Sequence, residues 1–493
     1  MKNRILALLL AALMLSTMTA CSEKDTGETT ADSTAVGEEN NAAETEERIP
    51  TNLPQRDFNG HTFHVLTKGQ FNAHWCSKDV YAEELTGEPI NDAVFNRNAV
   101  VTETYNFSIE ELWGTEANCT PFAKNAIQAG EDAYDLILNG SDTTPLITAG
   151  YLMDLQSIPY MDLSKPWYDQ NANATLSIAG KLMVTSGELT IMDNNATWCI
   201  QFNKNLAADL QLPDLYELVK EGKWTLDVMH SYAENASIDL NGDGIHNEFD
   251  QWGASGEATN SMFYMMGAGV TNFEKDESDI PVLVAGTEKY VDAFQKGNAI
   301  NGNFDLCLNV DYGSLRSQYT DVWGDCMDKA FSEGRVLFSC AGMNRVTLFR
   351  DMEADFGVLP MPKYDEAQAE YYSPVSMWCT SLISVPLTAS EPERTGIIIE
   401  ALSAESLYTL TPAYYDITLQ GKAVRDEESA AMLDMIFASR IFDLGNMYLL
   451  GDVFNVPGWV AINGPDKLMS TLESKKGPAQ TAIDTLVNAV TGN

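Results

Sequence analysis

The sequence predicts an α/β protein built around a parallel sheet with helices on its faces. Three observations carry this. Thr62–Thr67 alternates along its length directly after Asn59-Gly60, the pattern of a half-buried strand leaving a turn. Strand, helix, strand, helix and strand then follow one another as far as Leu138, and that alternation selects parallel strands with crossover helices. At 493 residues the chain is too long for one simple core, so two or three domains are expected.

The chain before the first strand is of another kind. Lys2 and Arg4 precede the apolar run Ile5–Leu15, and Ser16-Thr17-Met18-Thr19-Ala20 leads into Cys21. An apolar run this short cannot cross a bilayer as a helix, which needs roughly 20 residues. The basic, apolar, small-residue order is that of a secretory signal. Ser22–Asp57 has no aromatic residue and is rich in Glu, Asp, Thr, Ser, Ala and Asn. Such a segment cannot bury enough apolar surface to offset its ordering entropy, so residues 22–57 are expected to form a disordered acidic linker. From Phe58 onward aromatic residues become frequent.

The folded part reads as follows. Asp92–Tyr105 is a helix, Phe107–Glu110 a second strand, Pro121–Gln128 a second helix and Tyr134–Leu138 a third strand. Ligands of parallel sheets bind beyond the carboxyl ends of strands, which makes Ser141 and Asp142 candidate ligand contacts. A Ser or Asp in that turn would equally serve to cap the next helix. Gly180–Val184 and Glu188–Ile191 resemble a hairpin, and Trp198–Asn203 is a further strand opening into a helix at Lys204. Thr225 is an expected N-cap, with Asp227 in the first turn of a helix that runs to about Ala236.

Asp239-Leu240-Asn241-Gly242-Asp243-Gly244-Ile245-His246-Asn247-Glu248-Phe249-Asp250 is the sharpest local motif. Asp239, Asn241, Asp243, Asn247 and Asp250 stand at loop positions 1, 3, 5, 9 and 12 of the calcium-loop pattern, Gly244 stands at 6, and Ile245 would offer its carbonyl at 7. Asp rather than Glu at the last position resembles dockerin-type loops and weakens bidentate closure. The expectation is one structural Ca²⁺; a metal-free polar turn is the alternative. No His or Cys is spaced for zinc here.

Beyond the loop, Phe263–Gly267 reads as core, Tyr290–Lys296 and Val322–Phe331 as helices, and Gly334–Ser339 and Asp355–Pro360 as strands. Ser390-Glu391-Pro392-Glu393 reads as a capping box opening the run Ile397–Leu402. Asp426 is an expected cap, and Pro478–Val490 an amphipathic closing helix.

Seventy-one acidic against 30 basic residues give a formal charge of −41, which argues against nucleic acid and anionic membrane surfaces as partners. Besides Cys21, seven cysteines remain, an odd number without CxxC spacing, so few or no disulfides are expected. GxSxG, HExxH, a Walker loop and a dinucleotide fingerprint are all missing.

Met18-Thr19-Ala20-Cys21 resembles a bacterial lipobox, in which the cysteine is lipidated. With it come the strand Tyr134–Leu138 and its polar turn, and Gly222-Lys223-Trp224-Thr225 before a helix and Asp239–Gly244. Gly334–Gly342, Phe356–Lys363 and Val385-Pro386 follow in that order. Together they resemble the bacterial extracellular solute-binding proteins (family 1) of sugar-type ABC importers. The resemblance covers nearly the whole chain and rests on the order of individually weak pieces.

That resemblance implies a two-lobe periplasmic-binding-protein-like fold (type II), its lobes joined by crossing strands. It implies residues 1–21 as lipoprotein signal, 58–194 plus 338–376 as first lobe, and 195–337 plus 377–493 as second. Crossings would fall near Asp193–Trp198 and Ser339–Gly342. It also implies a monomer, lipid-anchored through Cys21 on the extracellular face of the cell membrane, that passes a small solute to an ABC permease without catalysis. A sugar would stack its C–H face on Trp or Tyr and bond its hydroxyls to polar groups. The candidate ligand contacts are then Ser141, Asp142, Asn194, Asn195, Gly342 and Met343, with Trp167, Trp198, Trp378 and Trp459 as rings; core burial is the alternative for each ring. An exported polysaccharide-acting enzyme, or a surface sensor or adhesin, is the competing functional reading.

Overall fold

The computed structural model describes residues 48–69, 75, 78–114, 118–349, 352–420 and 427–492. The signal segment with Cys21, the linker as far as residue 47, Cys76 and the Arg425-Asp426 cap lie outside them.

Two sheets organise the described chain. The first contains β1 (His61–Thr67), β2 (Phe107–Trp113), β3 (Leu136–Asn139) and a strand from much later in the sequence, Leu382–Ser384. β1 sits between β2 and β3 and runs parallel to both, as the strand–helix alternation predicts. The helix α1 (Pro89–Tyr105) makes the first crossover. It buries Ile90, Ala93, Val94 and Val101 and ends on Asn106, whose left-handed φ of 52° turns the chain into β2. The second sheet contains β4 (Trp198–Asn203), β5 (Trp252–Gly256), β6 (Cys307–Asn309), β7 (Val336–Gly342) and β8 (Phe356–Leu359), in the order β8-β4-β7-β5-β6. β5 runs parallel to β6 and β7, while β4 is antiparallel to β7 and β8. With β9 (Leu382–Ser384) antiparallel to β3, both sheets are mixed.

Sheet membership corrects the expected lobe boundaries. β7 and β8 fall inside the stretch 338–376 assigned to the first lobe, yet they pair within the second sheet. β9 falls inside 377–493 assigned to the second lobe, yet it completes the first sheet. Ser339–Gly342 is therefore not a crossing; it lies against Trp198–Gln201 along β4. The chain crosses to the second sheet through Met192–Asn195 and returns between β8 and β9, where Thr197 bridges Val375. The physical reason is reach. A three-residue strand that pairs across a long gap in sequence leaves no local periodicity to read.

Other expectations also shift. The linker's described end is docked, because Leu53 and Phe58 pack on the first core while Asp57 accepts from Asn59 N and Asn106 Nδ2 at 2.7 Å each. No hairpin joins 180–184 to 188–191; Thr185 bridges Ile383 instead. Thr225 caps its helix, Leu226–Ala236, by accepting from Val228 N. Ser390 does not cap Pro392–Ser406, since its hydroxyl donates to Asp132. The helix expected over 322–331 opens as a π-helical turn, Trp323–Asp328, before the α-helical Lys329–Ser332. The six described cysteines are all free and buried. Burial pushes the thiols of Cys199 and Cys307 up to about 12, which leaves them unreactive.

Candidate functional site

A cavity of about 360 Å³ lies between the two sheets, and the carboxyl ends of parallel strands feed it. β3 delivers Ser141 and Asp142, β5 delivers Glu257, and β7 delivers Gly342. Its size is at the lower end of the roughly 300–1,000 Å³ typical of ligand pockets. Ser141, Asp142, Trp198, Gly342 and Trp378 all line it.

Aromatic rings make one wall. Trp198 lies nearly parallel to Trp75, 5.9 Å between ring centres and 5° between planes. Its other neighbour is Phe263, 4.7 Å away, and Phe454 meets Phe263 edge-on at 5.8 Å. Trp198 Nε1 donates to Asn260 Oδ1 at 3.3 Å, and Asn260 Nδ2 donates to Cys340 O at 2.7 Å. Buried polar groups held in this way fix the ring's orientation. Trp378 is different, at 42% exposed. Beneath it the buried Lys68 ammonium donates to the carbonyls of Trp378 (2.5 Å) and Thr380 (3.0 Å), and stands 5.8 Å from the indole centre.

Backbone meets backbone behind this wall. A Cβ on Gly140 would sit 2.2 Å from Met377 O, and one on Gly342 would meet Asn195 O at 2.9 Å and the Trp75 ring at 3.0 Å. These glycines let the β3 turn and the end of β7 approach their neighbours. Polar groups complete the lining. Desolvation raises the pKa of Asp142, which Lys68 partly offsets. Glu257 accepts from Trp323 Nε1 at 2.9 Å and from Thr259 Oγ1 at 2.6 Å. Arg345 Nε donates to Asp328 Oδ1 at 3.0 Å. Burial pushes Asp328 up to about 6, against the pull of Arg345.

The other sequence candidates lie elsewhere. Trp167 is wholly buried in the first core. Met343 is buried and donates its N–H to Thr197 O at 2.9 Å. Trp459 is 48% exposed, with Lys467 Nζ 5.9 Å from its ring centre. Asn195 Oδ1 accepts from Tyr414 OH at 3.1 Å, and Asn194 Oδ1 from Arg440 Nη1 at 2.7 Å. Those asparagines thus brace the crossing rather than face the cavity. Arg440 is central there, because its two ends reach Asp193 (3.0 Å) and Asp169 (2.9 Å). Burial opposes its charge, but Asp193, Asp169 and Glu188 hold its pKa up. Glu188 is itself pushed up to about 6, first by desolvation and then by Asp193.

Trp75, Glu257, Asn260, Asp321, Trp323 and Arg345 were not singled out by sequence. The one available signal was position, since Glu257 directly follows β5 and Arg345 is the second residue of the short helix, Asn344–Leu348, that follows β7.

The 239–250 loop is held by its own amides. Asp239 accepts from Gly242 N and Gly244 N at 2.8 Å each, Asp243 from Ile245 N at 2.8 Å, and Asp250 from Leu240 N and Asn247 N at 3.0 and 2.8 Å. Gly244 has the left-handed φ of 79° that the sixth position of a calcium loop requires. Among the described residues no three His, Cys, Asp or Glu side chains are grouped to hold a metal. Asp243 and Asp250 nevertheless keep unused lone pairs, since an ionised carboxylate offers about four acceptor sites and each accepts two hydrogen bonds.

Comparison with protein-family models and with curated protein sequences gives no match. Solved structures do match. The galacto-N-biose-/lacto-N-biose I-binding protein of the ABC transporter from Bifidobacterium longum, in complex with lacto-N-biose, aligns with a TM-score of 0.57 at 12% identity, over 87% of this chain and 98% of that one. UspC from M. tuberculosis gives 0.54 at 14%, over 85% and 100%. An ABC transporter solute binding protein from Thermotoga lettingae bound with alpha-D-tagatose gives 0.51 at 13%, over 87% and 100%. At such identities the likeness establishes the fold: the chain has the two-lobe α/β fold of these solute-binding proteins.

Proposed function

We propose that this protein binds a sugar or short oligosaccharide between its lobes and delivers it, chemically unchanged, to an ABC-type permease. The observation that carries the reading is the cavity itself: stacked Trp75 and Trp198 and the exposed Trp378 on its walls, with Ser141, Asp142, Glu257 and Asn260 among them. Indole faces suit the C–H faces of sugar rings, while carboxylates and amides suit hydroxyls. The solved relatives in complex with lacto-N-biose and alpha-D-tagatose support the same ligand class. Thermal melting against a saccharide panel tests it. A ligand at a hundred times its Kd should stabilise the fold by about 2.7 kcal/mol. The sugar should be recovered intact after incubation; a shortened or isomerised product would refute the transport reading.

The lipid anchor is part of the proposal. Its support is the Met18–Cys21 pattern after an apolar run. No helix among the described residues is long and apolar enough to cross a membrane. Cys21→Ala should release the protein from the membrane fraction; equally firm retention would disprove lipidation.

We also propose that the 239–250 loop takes one structural Ca²⁺. Supporting it are the order of oxygen side chains and the φ of Gly244. Binding must draw Asp239, Asp243 and Asp250 toward one point, so the ion should stabilise the second lobe without touching the cavity. Melting in chelator and in excess calcium should differ in midpoint. Identical midpoints in metal-free protein would leave a self-capped polar turn.

A further inference from the structure

We infer that the cavity selects an uncharged saccharide and rejects acidic ones, with Arg345 donating to an oxygen of the ligand; this rests on the saccharide reading above. Three carboxylates line the cavity, Asp142 from the first lobe and Glu257 and Asp321 from the second. Arg345 is the one basic side chain among the described lining residues. Its charge is already matched, because Asp328 takes its Nε at 3.0 Å.

The neighbouring cations offset that excess only in part, since Lys68 acts on Asp142 from behind the lining. Lys68 gives its ammonium to the carbonyls of Trp378 and Thr380. Arg316 pairs with Asp311 and reaches Glu257 only at 4.0 Å, and it is half exposed, where solvent screens it. With Lys68 set against Asp142 and Arg345 against Asp328, Glu257 and Asp321 remain in excess, so a ligand carboxylate would meet like charge.

Arg345 supplies what an uncharged ligand needs. Only 5% of the residue is exposed, and its buried Nη1 has no hydrogen-bond partner. An unpaired buried donor is costly, and a hydroxyl, ring or carbonyl oxygen of a sugar would satisfy it once the Arg345 side chain turns it toward the cavity that the residue lines. The wall beside it is the π-helical turn Trp323–Asp328, which carries the lining residues Trp323 and Met327. Such turns are rare and concentrate at functional sites.

The test uses matched saccharides in melting and titration calorimetry. Neutral probes are maltotriose, xylotriose, lacto-N-biose and chitin-derived N-acetylglucosamine oligomers. Acidic probes are galacturonate and mannuronate oligomers and sialyllactose. The expected result is binding of a neutral probe at least about tenfold tighter than any acidic one, with Asp142→Asn narrowing that ratio. Arg345→Met should weaken the neutral ligand by at least about tenfold. Because that variant strands Asp328, the pair Arg345→Met with Asp328→Leu serves as the folded control and should show the same loss. An acidic saccharide binding as tightly as the best neutral one, or parent affinity in the double variant, overturns the inference while sugar binding stands. Binding of no saccharide in either class instead takes down the parent reading, and this one with it.

Discussion

Arg440→Met should destabilise the protein by about 3–5 kcal/mol, the usual consequence of stripping one partner from a buried ion cluster. The guanidinium is buried and bonded to Asp169, Asp193 and Asn194, so its loss strands two carboxylates in low dielectric. The segment it anchors, Arg440-Ile441, also pairs with Ser373-Pro374 beside the second crossing. The defect should depend on pH with a definite sign. In the variant, Asp193, whose pKa burial already raises, loses the Arg440 charge that pulls it down, so its folded pKa rises further. A carboxylate whose folded pKa is raised contributes stability below its unfolded pKa and loses it as pH rises through the folded one. Denaturant midpoints should therefore fall further behind the parent as pH increases. Adding Asp169→Asn and Asp193→Asn should recover much of the loss. A single variant as stable as the parent would show that the cluster does not brace the crossing.

Trp198→Ala and Trp378→Ala should separate cleanly, although both rings are candidate ligand contacts by sequence. Trp198 is only 6% exposed and packed between Trp75 and Phe263. Its truncation opens a core cavity and should cost about 3–5 kcal/mol of stability as well as binding. Trp378 projects from a turn whose carbonyls Lys68 holds, and its ring is 42% exposed. Truncation there should leave melting close to the parent. Once a ligand is identified, affinity should fall by about 10- to 100-fold, equivalent to about 1–3 kcal/mol. Unchanged affinity in the Trp378 variant would remove that ring from the site.

How far the sequence carried the fold depended on distance along the chain. β1, α1, β2 and β3 are neighbours, so their alternation and helical period are visible in one window. The cap at Thr225 was similarly local. β9 has three residues and pairs with β3 from the far side of the second sheet, and nothing near Leu382 announces that. The site divides in the same way. Ser141 and Asp142 follow a readable strand and so could be proposed from the rule that ligands gather at carboxyl ends. Arg345, Asp321 and Glu257 converge only once the second sheet is assembled, and their chemistry depends on partners such as Asp328 and Trp323. Asn194 and Trp167 show the converse. Residue type and neighbourhood suit a ligand, but Arg440 and the first core take them.

The antiparallel pairing of β9 with β3 has a consequence for biosynthesis. Ser384 Oγ donates to Ile137 O across a separation of 247 residues. A chain made from its N-terminus presents β1, β2 and β3 long before β9 exists. Until then the apolar strand Leu136-Ile137-Leu138 has an unpaired edge, the kind of surface on which strands from other chains add. The whole second sheet must be produced before that edge is closed. Early folding of the first lobe alone would thus be a hazard, and keeping the nascent chain unfolded until β9 has been made is protective. Truncations ending before Leu382 should aggregate for the same reason, even though three strands of the first sheet are already in them.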